Sequence, residues 1–316
     1  MPFSLDPEVA AGLAGLEDKI GEIAPMAVGD VTGRRNVYDP LQHMLLRQLP
    51  PVDDVDIKNY EIEVSDTATV QLRWYEKRGE TPGAAVLYLP GGGMICSNLE
   101  IYDATVARYV SSSGVPFLSV DYRRAPEVSA PAPVTDSFAA LQWLANSAPD
   151  LAVDPRRIAI MGDSGGGGVA ASLAIYARDH GGPQITKQIL IYPMLDDRNT
   201  TPDPEIANLA SWTYDDNLTG WGALLGEARS RADVSPYGAA ARLQDFSKLP
   251  PAYIEVGELD IFRDESIAYA QGLYAEGIST ELHVHPAVPH GFEAFVPSAG
   301  VSQRAVADRQ RVLRAL

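Results

Sequence analysis

The sequence RIAIMGDSGGGGVAASLAIYAR, residues 157–178, contains a short apolar run, a glycine-rich turn and a longer apolar run. The first run is typical of a buried strand and the last of a buried helix. Gly162, Ser164 and Gly166 in the turn form the pattern G-x-S-x-G. A serine at the tip of a sharp strand-to-helix turn requires these glycines, because side chains there would collide with the strand or the helix. We therefore expect a nucleophile elbow with Ser164 at its tip.

Strand and helix patterns alternate on both sides of this turn. Apolar or alternating runs predict strands at about 60–64, 70–77, 84–89, 116–122, 157–162, 187–192, 252–257 and 279–285. Helical periodicity predicts helices at about 101–113, 134–147, 165–178, 264–276 and from Val301 onward. Parallel strands need long crossovers, so this alternation favours an α/β fold with a mostly parallel central sheet and helices on both faces.

Two segments do not follow the alternation. Residues 1–57 contain an amphipathic helix at about 6–23 and then an irregular stretch with several prolines. Residues 196–248 contain helical pieces and two of the four tryptophans, with no obvious strand. An insertion that leaves the carboxyl end of a strand is well placed to cover the crevice in which open α/β sheets bind ligands.

Composition and charge exclude several classes of partner and location. The chain has 42 Asp and Glu against 25 Lys and Arg, a net charge of −17 that would repel nucleic acid. Its apolar runs are far shorter than a membrane span requires, so we expect no membrane insertion. Cys96 is the single cysteine, and the N-terminal residues lack the basic start of a signal peptide. We expect a cytoplasmic protein.

A nucleophilic serine needs a base, and the base needs an orienting carboxylate. Among the five histidines, His290 lies in the loop VPHGF after the last predicted strand and is the candidate base. His43 precedes the sheet, His180 lies in a polar turn, and His283 and His285 lie inside a predicted strand. Residues inside a strand point to the core or to solvent rather than over the end of the sheet.

Four acids compete for the carboxylate position after the strand AYIEVG. Asp264 and Glu265 suit the first turn of the next helix, where the helix dipole favours acids. Asp260 lies in the loop itself and is the first choice, with Glu258 as the reserve.

The reaction also needs amide donors for the oxyanion, and the loop LPGGGM at 89–94 could supply them. Three consecutive glycines after a buried strand cost conformational entropy, so a need for close backbone approach explains them better than a plain flexible loop. A phosphate-binding turn at residues 162–168 is disfavoured, because neither the P-loop nor the dinucleotide-binding pattern is present.

Taken together, GGG, DYRRAPE at Asp121 to Glu127, GDSGGG, GELDIFRDE and PHGF resemble the hormone-sensitive-lipase family of bacterial-type esterases. That family has the α/β-hydrolase fold, and the resemblance runs from about residue 60 to the C-terminus. It implies a helical cap built from residues 1–57 and 196–248 on a catalytic core of residues 58–195 and 249–316.

The same resemblance implies a serine carboxylic-ester hydrolase that forms an acyl-enzyme on short- to medium-chain esters, with no cofactor and no metal. Ser164 would be the nucleophile and Asp260 and His290 its partners. The residues implied for the oxyanion hole are Gly92, Gly93 and Gly165.

The chain departs from the family pattern at three positions. Pro90 replaces the histidine that usually precedes the three glycines, so the loop must be held in another way, for instance by the fixed φ of Pro90. Gly165 replaces the usual alanine, which leaves the amide in place and loosens the turn. Arg124 replaces a leucine, with no functional interpretation.

Several expectations concern the surroundings of the site. Met94, Trp212, Tyr214 and Trp221 are candidates for the substrate pocket, although the aromatic residues could equally attach the cap to the core. Cys96 is expected to be a small buried residue rather than a reactive thiol. A homodimer through the last strand, STELHVH at 279–285, is a further hypothesis.

Two other functions remain open on the sequence alone. One is a catalytically inactive receptor for a small ligand on the same fold, although the retained His290 favours an enzyme. The other is an amidase or acyltransferase, because the same residues stabilise the same intermediate.

Overall fold

The computed structural model describes residues 3–21, 23–64, 67–81, 83–229 and 231–316. Positions 1, 2, 22, 65, 66, 82 and 230, which fall within the predicted N-terminal segment, core and insertion, lie outside the described residues. The described strands are β1 (Val55–Glu63), β2 (Thr69–Lys77), β3 (Ala85–Leu89), β4 (Phe117–Val120), β5 (Ile158–Asp163), β6 (Gln188–Ile191), β7 (Ala252–Gly257) and β8 (Thr280–His285). They form one sheet in the order β1-β2-β4-β3-β5-β6-β7-β8.

The sheet is mostly parallel, as predicted. β1 and β2 pair antiparallel, and so do β2 and β4. From β4 to β8 every neighbouring pair is parallel. All six residues of β5 are buried, as expected for a strand that is covered on both faces.

The helices lie on both faces of this sheet. They are α1 (Pro7–Ile20), α2 (Val31–Leu45), α3 (Leu99–Ser113), α4 (Ala132–Ser147), α5 (Gly165–Asp179), α6 (Tyr214–Leu225), α7 (Arg263–Ala275), α8 (Phe292–Phe295) and α9 (Gly300–Arg314). The crossover through α3 runs one way along the sheet and those through α4, α5 and α7 run the other way. Because such crossovers are right-handed, α3 lies on the opposite face from α4, α5 and α7.

The sheet brings the predicted site residues to one edge. β3, β5, β7 and β8 are parallel, so the loops that leave their carboxyl ends lie on the same side of the sheet. These loops carry the three glycines, Ser164, Asp260 and His290 respectively. Open α/β sheets bind ligands at this edge.

The expectation of an irregular stretch after the first helix is wrong for α2. Pro40 lies inside α2, where it removes a backbone donor and disfavours the helix. Tertiary contacts outweigh this cost: Arg34 of α2 is buried and its Nε lies 2.8 Å from Oδ1 of Asp216 in α6. Most of the stability of a protein helix comes from such packing rather than from intrinsic propensity.

The N-terminal segment has two different attachments. α1 buries Val9 in a small apolar cluster with Phe292 and Val296, next to α8 and α9 of the predicted core. α2 contacts α3 of the predicted core and also α6 of the insertion, the latter through Arg34 and through the Tyr38 hydroxyl, which donates to Asp216 Oδ2 at 3.0 Å. The grouping of both segments into one cap therefore stays a prediction.

A buried ion pair joins α9 to the sheet. Arg309 donates from Nε to Oε1 of Glu255 on β7 at 2.8 Å, and its Nη1 lies 2.7 Å from Oε1 of Glu293. Burial opposes ionisation of Glu255, but the charge and hydrogen bonds of Arg309, together with the nearby His285, outweigh it and hold the Glu255 pKa at about 2. The ionised form of Glu255 is thus favoured by folding.

This ion pair gives a pH-dependent stability prediction. The lowered pKa stabilises the fold above about pH 4.5, and the contribution is lost as the pH falls towards 2. Glu255→Gln should lower the free energy of unfolding at pH 6 by about 3 kcal/mol. The difference between the two proteins should shrink by about 2 kcal/mol at pH 3. Urea unfolding at both pH values measures this difference in the free energy of unfolding, and Glu17→Gln, at an exposed position, is the control. An equal difference at both pH values would contradict the lowered pKa of Glu255.

Candidate active site

The turn between β5 and α5 holds Ser164 in a strained conformation. Its backbone has φ +55° and ψ −123°, which non-glycine residues rarely adopt. A Cβ at Gly162 would lie 2.3 Å from the carbonyl oxygen of Gly166, and a Cβ at Gly166 would lie 2.0 Å from that of Leu89. Any side chain at either glycine would collide with backbone, which accounts for the G-x-S-x-G pattern.

Ser164, His290 and Asp260 form a continuous hydrogen-bonded chain. His290 Nε2 lies 2.9 Å from Ser164 Oγ, and His290 Nδ1 lies 2.7 Å from Asp260 Oδ2. Asp260 is fully buried, and its other oxygen accepts a hydrogen bond from the amide of Phe262 at 2.9 Å. An imidazole that donates from Nδ1 to this carboxylate leaves Nε2 free to accept the serine proton.

Two aromatic rings and one residue of the 196–248 segment fix the position of His290. Tyr192 and Phe262 contact the imidazole in edge-on arrangements, with ring centroids at 4.5 and 5.2 Å. The Ser211 hydroxyl donates to the His290 carbonyl at 2.5 Å. The sequence analysis missed these three residues; the positions of Tyr192 directly after β6 and of Phe262 in the loop after β7 are the only signals that could have indicated the first two.

Glu258, the second choice for the orienting carboxylate, has a different hydrogen-bond partner. Glu258 Oε2 accepts a hydrogen bond at 2.9 Å from the amide of Ala287, in the loop that carries His290. Glu258 therefore supports the histidine loop, and the carboxylate bonded to the imidazole is that of Asp260. The other histidines lie in α2 (His43), at the end of α5 (His180) and on β8 (His283 and His285).

Of the two acids predicted for the next helix, Glu265 is buried and has a structural role. Its Oε1 accepts hydrogen bonds from the amides of Leu195 and Asp196 at 2.6 and 3.2 Å, where the insertion begins. Asn199 donates to the other oxygen at 3.0 Å. Burial raises the Glu265 pKa to about 8 in spite of these donors. Asp264 forms an exposed ion pair with Arg263.

The glycine loop after β3 lies against the elbow. Gly92 and Gly93 have φ of +115° and +58°, so glycine is the unstrained residue at both positions. A Cβ at Gly165 would lie 2.8 Å from the amide nitrogen of Gly93 and 2.7 Å from that of Met94. The loop amides thus converge on Gly165, the residue after the serine.

Residues of the motif DYRRAPE hold the glycine loop. In this loop Pro90 stands where the family pattern has a histidine. The Tyr122 hydroxyl donates to the carbonyl of Pro90 at 2.6 Å, and the Ala125 amide donates to the carbonyl of Met94 at 3.0 Å. Both donors come from a neighbouring segment. The loop is therefore fixed by hydrogen bonds as well as by the restricted φ of Pro90.

α2 supports the same loop from the other side. Arg35 donates from Nε to the carbonyl of Ile95 at 2.6 Å, and Glu127 of the DYRRAPE motif holds its guanidinium. Asp39 accepts a hydrogen bond from the amide of Ser97 at 2.7 Å. The N-terminal segment, which carried no catalytic motif, therefore helps to position the glycine loop.

Asp163, directly before the serine, is buried and accepts hydrogen bonds from two tyrosine hydroxyls. Tyr88 and Tyr102 donate to its two oxygens at 2.5 and 2.6 Å. Burial raises the pKa of Asp163, although both hydroxyls stabilise its charged form. The hydrogen bonds of this carboxylate are therefore directed to β3 and α3 rather than to the histidine.

A cavity of about 870 Å³ contains Ser164 and His290 in its wall. This volume is typical of a small-molecule site. Among the four pocket candidates, Trp212 lines this cavity, and its ring lies so close to Gly93 that a Cβ there would be 2.5 Å away. Met94 and Trp221 instead border a second, smaller pocket.

The remaining pocket candidate, Tyr214, lines neither of these two cavities. Its hydroxyl accepts a hydrogen bond from the amide of Asp203 at 3.1 Å, within the insertion. Trp212 thus attaches the insertion to the glycine loop and also lines the cavity, so it combines the two roles that the sequence left open.

Cys96 is buried beside the glycine loop. Burial, together with the nearby Asp39 charge, raises its pKa to about 12, so the thiol is unreactive at neutral pH. In the described ranges no group of three His, Cys, Asp or Glu side chains could hold a metal ion. The helices of those same ranges are all too short or too polar to cross a bilayer.

Comparison with known proteins shows what the chain is similar to. A family model described as alpha/beta hydrolase fold matches residues 86–294. Carboxylesterase NlhH of Mycobacterium tuberculosis is 37% identical over 237 residues, which cover 73% of this chain and 74% of the relative. Ethyl acetate hydrolase of Pseudomonas putida is 29% identical over 308 residues, 92% of each chain.

Solved esterase structures have the same fold over nearly the whole chain. A bacterial heroin esterase superimposes with a TM-score of 0.88 at 33% identity, covering 99% of this chain and 98% of that one. The resemblance, the fold class and the ester-hydrolase activity predicted from the sequence are confirmed. The chain belongs to the hormone-sensitive-lipase-like family of α/β hydrolases and is a carboxylesterase.

Proposed function

We propose that Ser164, His290 and Asp260 catalyse ester hydrolysis through an acyl-enzyme. The observation that carries the proposal is the pair of hydrogen bonds at 2.9 and 2.7 Å that joins the three side chains. Ser164 Oγ attacks the ester carbonyl carbon while its proton moves to His290 Nε2. Asp260 holds the imidazole in the required tautomer and stabilises its charged form.

His290 next acts as an acid to complete acylation, and then as a base again for the attacking water. The tetrahedral intermediate collapses, the carbonyl re-forms, and the departing alcohol takes the proton from His290. Water then loses a proton to His290 and attacks the acyl carbon. Collapse of this second tetrahedral intermediate breaks the bond to Ser164 Oγ and releases the acid, while His290 returns the proton to Ser164 Oγ. The amides of Gly92, Gly93 and Gly165 stabilise the oxyanion in both halves. The proposed mechanism uses no metal and no cofactor.

Matched substrates test the choice of ester hydrolysis over amide hydrolysis and acyl transfer. We expect p-nitrophenyl butyrate to be turned over much faster than p-nitrobutyranilide, with butyrate as the main product even when an alcohol is added. Comparable amide turnover would identify an amidase. A dominant ester product in the presence of the alcohol would identify an acyltransferase.

The oxyanion role gives a prediction for Gly165→Ala. Alanine is the usual residue here in the family pattern, but in this chain the new methyl group would lie within 3 Å of the Gly93 and Met94 amide nitrogens and must push the glycine loop away. Loss of one oxyanion donor costs about 10²-fold in kcat, and we expect a loss of that order here. Steady-state kinetics measure it, with Gly15→Ala as control because its Cβ would meet nothing within 4 Å. Unchanged kcat in Gly165→Ala would remove these amides from the proposal.

For the acyl preference, we propose short to medium chains. The cavity of about 870 Å³ is lined by residues of α2 and of the insertion as well as by Ser164 and His290. Initial rates on p-nitrophenyl acetate, butyrate, octanoate and palmitate test this range. Faster turnover of the palmitate than of the octanoate would contradict it.

β8 is the basis for a proposed homodimer. β8 is the last strand of the sheet, so one side of its backbone has no partner strand in the described chain, and Val284 is 38% exposed. Val284→Lys should convert the dimer to a monomer in light scattering. A wild-type monomer would reject the proposal.

The cytoplasm is the location that we propose. Cys96 is a free, buried thiol, which is compatible with a reducing compartment. Fractionation of the native host followed by an esterase assay tests it, and activity found in the medium would contradict it.

A further inference from the structure

The cavity beside Ser164 extends to a wall formed by α2, α3 and α9. Its lining includes Leu46 at the end of α2, Thr105 and Arg108 of α3 and Gln310 of α9. Arg108 lies six residues after Tyr102, whose hydroxyl bonds to the residue next to Ser164. Six residues of helix are about 9 Å, so Arg108 lies further along α3, away from the turn of the helix that contacts the Ser164 elbow.

Arg108 differs from the other two arginines in this lining. Arg34 is paired with Asp216 and Arg309 with Glu255 and Glu293. Arg108 is half-buried, and within the part of the chain that the structure describes it has no carboxylate partner. Its Nη2 donates to the carbonyl of Leu46 at 2.6 Å and to Thr105 Oγ1 at 3.2 Å.

Part of the Arg108 guanidinium has no partner. Nη1 is buried and makes no hydrogen bond to any described residue. Burial lowers the Arg108 pKa, as expected for a cation that has lost water without gaining a carboxylate. Gln42 in the same cavity wall also has a buried side-chain oxygen without a partner. Gln42 lies four residues before Leu46, whose carbonyl Arg108 binds, so the unpaired oxygen of α2 lies near the Arg108 guanidinium of α3.

Within the described chain, none of the acids in the cavity wall is paired with Arg108. Asp163 is held by two tyrosines and Asp216 by Arg34. Glu293 binds Arg309 and the Tyr192 hydroxyl through Oε1, and its buried Oε2 has no partner. Asp215 is exposed. The guanidinium is therefore available for a ligand that enters the cavity.

We propose that Arg108 binds a carboxylate at the far end of the substrate, so that this esterase selects medium-chain esters that carry a terminal carboxylate. A planar guanidinium matches the two oxygens of a carboxylate. Nη1 has no exposed surface, so a rotation of the end of the Arg108 side chain must turn it towards the ligand. The proposal rests on the esterase mechanism proposed above and specifies its substrate class.

Half-esters of dicarboxylic acids are the direct probes. The mono-p-nitrophenyl esters of adipate, suberate and sebacate are compared with p-nitrophenyl hexanoate, octanoate and decanoate, and with the methyl p-nitrophenyl diester of suberate. We expect one half-ester length to exceed its neutral partners in kcat/KM by about ten- to a hundred-fold, the usual range for one charge-assisted hydrogen-bonded contact. The preference should be expressed mainly in KM, because the contact is remote from the reacting atoms.

Substitution of Arg108 assigns the preference to that residue. Arg108→Gln should remove most of the preference for the half-ester and leave kcat/KM for the neutral esters within about two-fold, because the remote contact is lost without change at the reacting atoms. Arg108→Lys should restore part of it through the charge. Arg47→Gln is the matched control, because Arg47 is exposed and outside the cavity lining, yet its loss changes the net charge equally.

The outcomes separate this proposal from the mechanism. Turnover of the neutral esters without any preference for a half-ester at any length overturns the carboxylate site and leaves the mechanism intact. Equal losses on neutral and charged substrates in Arg108→Gln also overturn it, since they show a structural role. If wild-type protein hydrolyses neither class, the mechanism itself fails. If Arg108→Gln does not fold, the wild-type length profile and Arg108→Lys still decide the question.

Discussion

Ser164→Ala is expected to lower kcat for p-nitrophenyl butyrate by about 10⁶-fold, the loss seen when the nucleophile of a serine hydrolase is removed. The reason is that alanine provides no oxygen to attack the carbonyl, and His290 Nε2 then has no proton to accept from it. What remains would be the small contribution of the glycine-loop amides and of substrate binding. Single-turnover and steady-state assays under the same conditions measure the loss.

The fold of this variant should not change. Ser164 makes backbone hydrogen bonds that alanine keeps, including the one from its amide to the Ile191 carbonyl at 2.9 Å. Circular dichroism and the melting temperature should therefore match those of the wild type. Turnover of more than a small fraction of the wild-type rate in a correctly folded variant would exclude Ser164 as the nucleophile.

Asp260→Asn is expected to lower kcat by about 10⁴-fold, by analogy with the triad carboxylate of serine proteases. The fully buried Asp260 accepts a hydrogen bond at 2.7 Å from His290 Nδ1. An asparagine amide that faces Nδ1 would instead favour the tautomer with the proton on Nε2, which cannot accept the serine proton. The charged imidazole would also lose its neighbouring carboxylate.

Glu258→Gln is the matched comparison, because Glu258 is the other acid in the same loop. Glutamine keeps an oxygen that can accept the hydrogen bond from the Ala287 amide, so kcat should change by less than about two-fold. A large loss in Glu258→Gln together with a small loss in Asp260→Asn would move the orienting role to Glu258.

The sequence alone was sufficient for the parts of the site that depend on local pattern. The strand, glycine turn and helix around Ser164 are consecutive, so their periodicities and the glycines could be recognised together. His290 and Asp260 followed from their positions after predicted strands, because parallel strands bring their carboxyl ends to one edge. Glycine at 162 and 166 has a direct steric reason in the structure.

Features that depend on distant contacts could not be obtained in this way. α2 forms around Pro40 because Arg34 and Arg35 dock onto segments that are far along the chain. The packing of Tyr192 on His290 depends on β6 and β8, which only the folded sheet brings to either side of β7. Trp221 is an aromatic residue of the kind that often lines a substrate pocket. Its position in α6 places it beside the second, smaller pocket. No local pattern distinguishes these cases.

Labelling with a fluorophosphonate tests the activation of Ser164 by His290 most directly. Such a probe reacts covalently with a serine only where a base and an oxyanion site activate it. We expect one adduct per chain, located on Ser164 by peptide mass spectrometry, with no adduct in Ser164→Ala and much slower labelling in His290→Gln. An adduct on any other residue, or an unlabelled Ser164 in folded wild-type protein, would contradict the account.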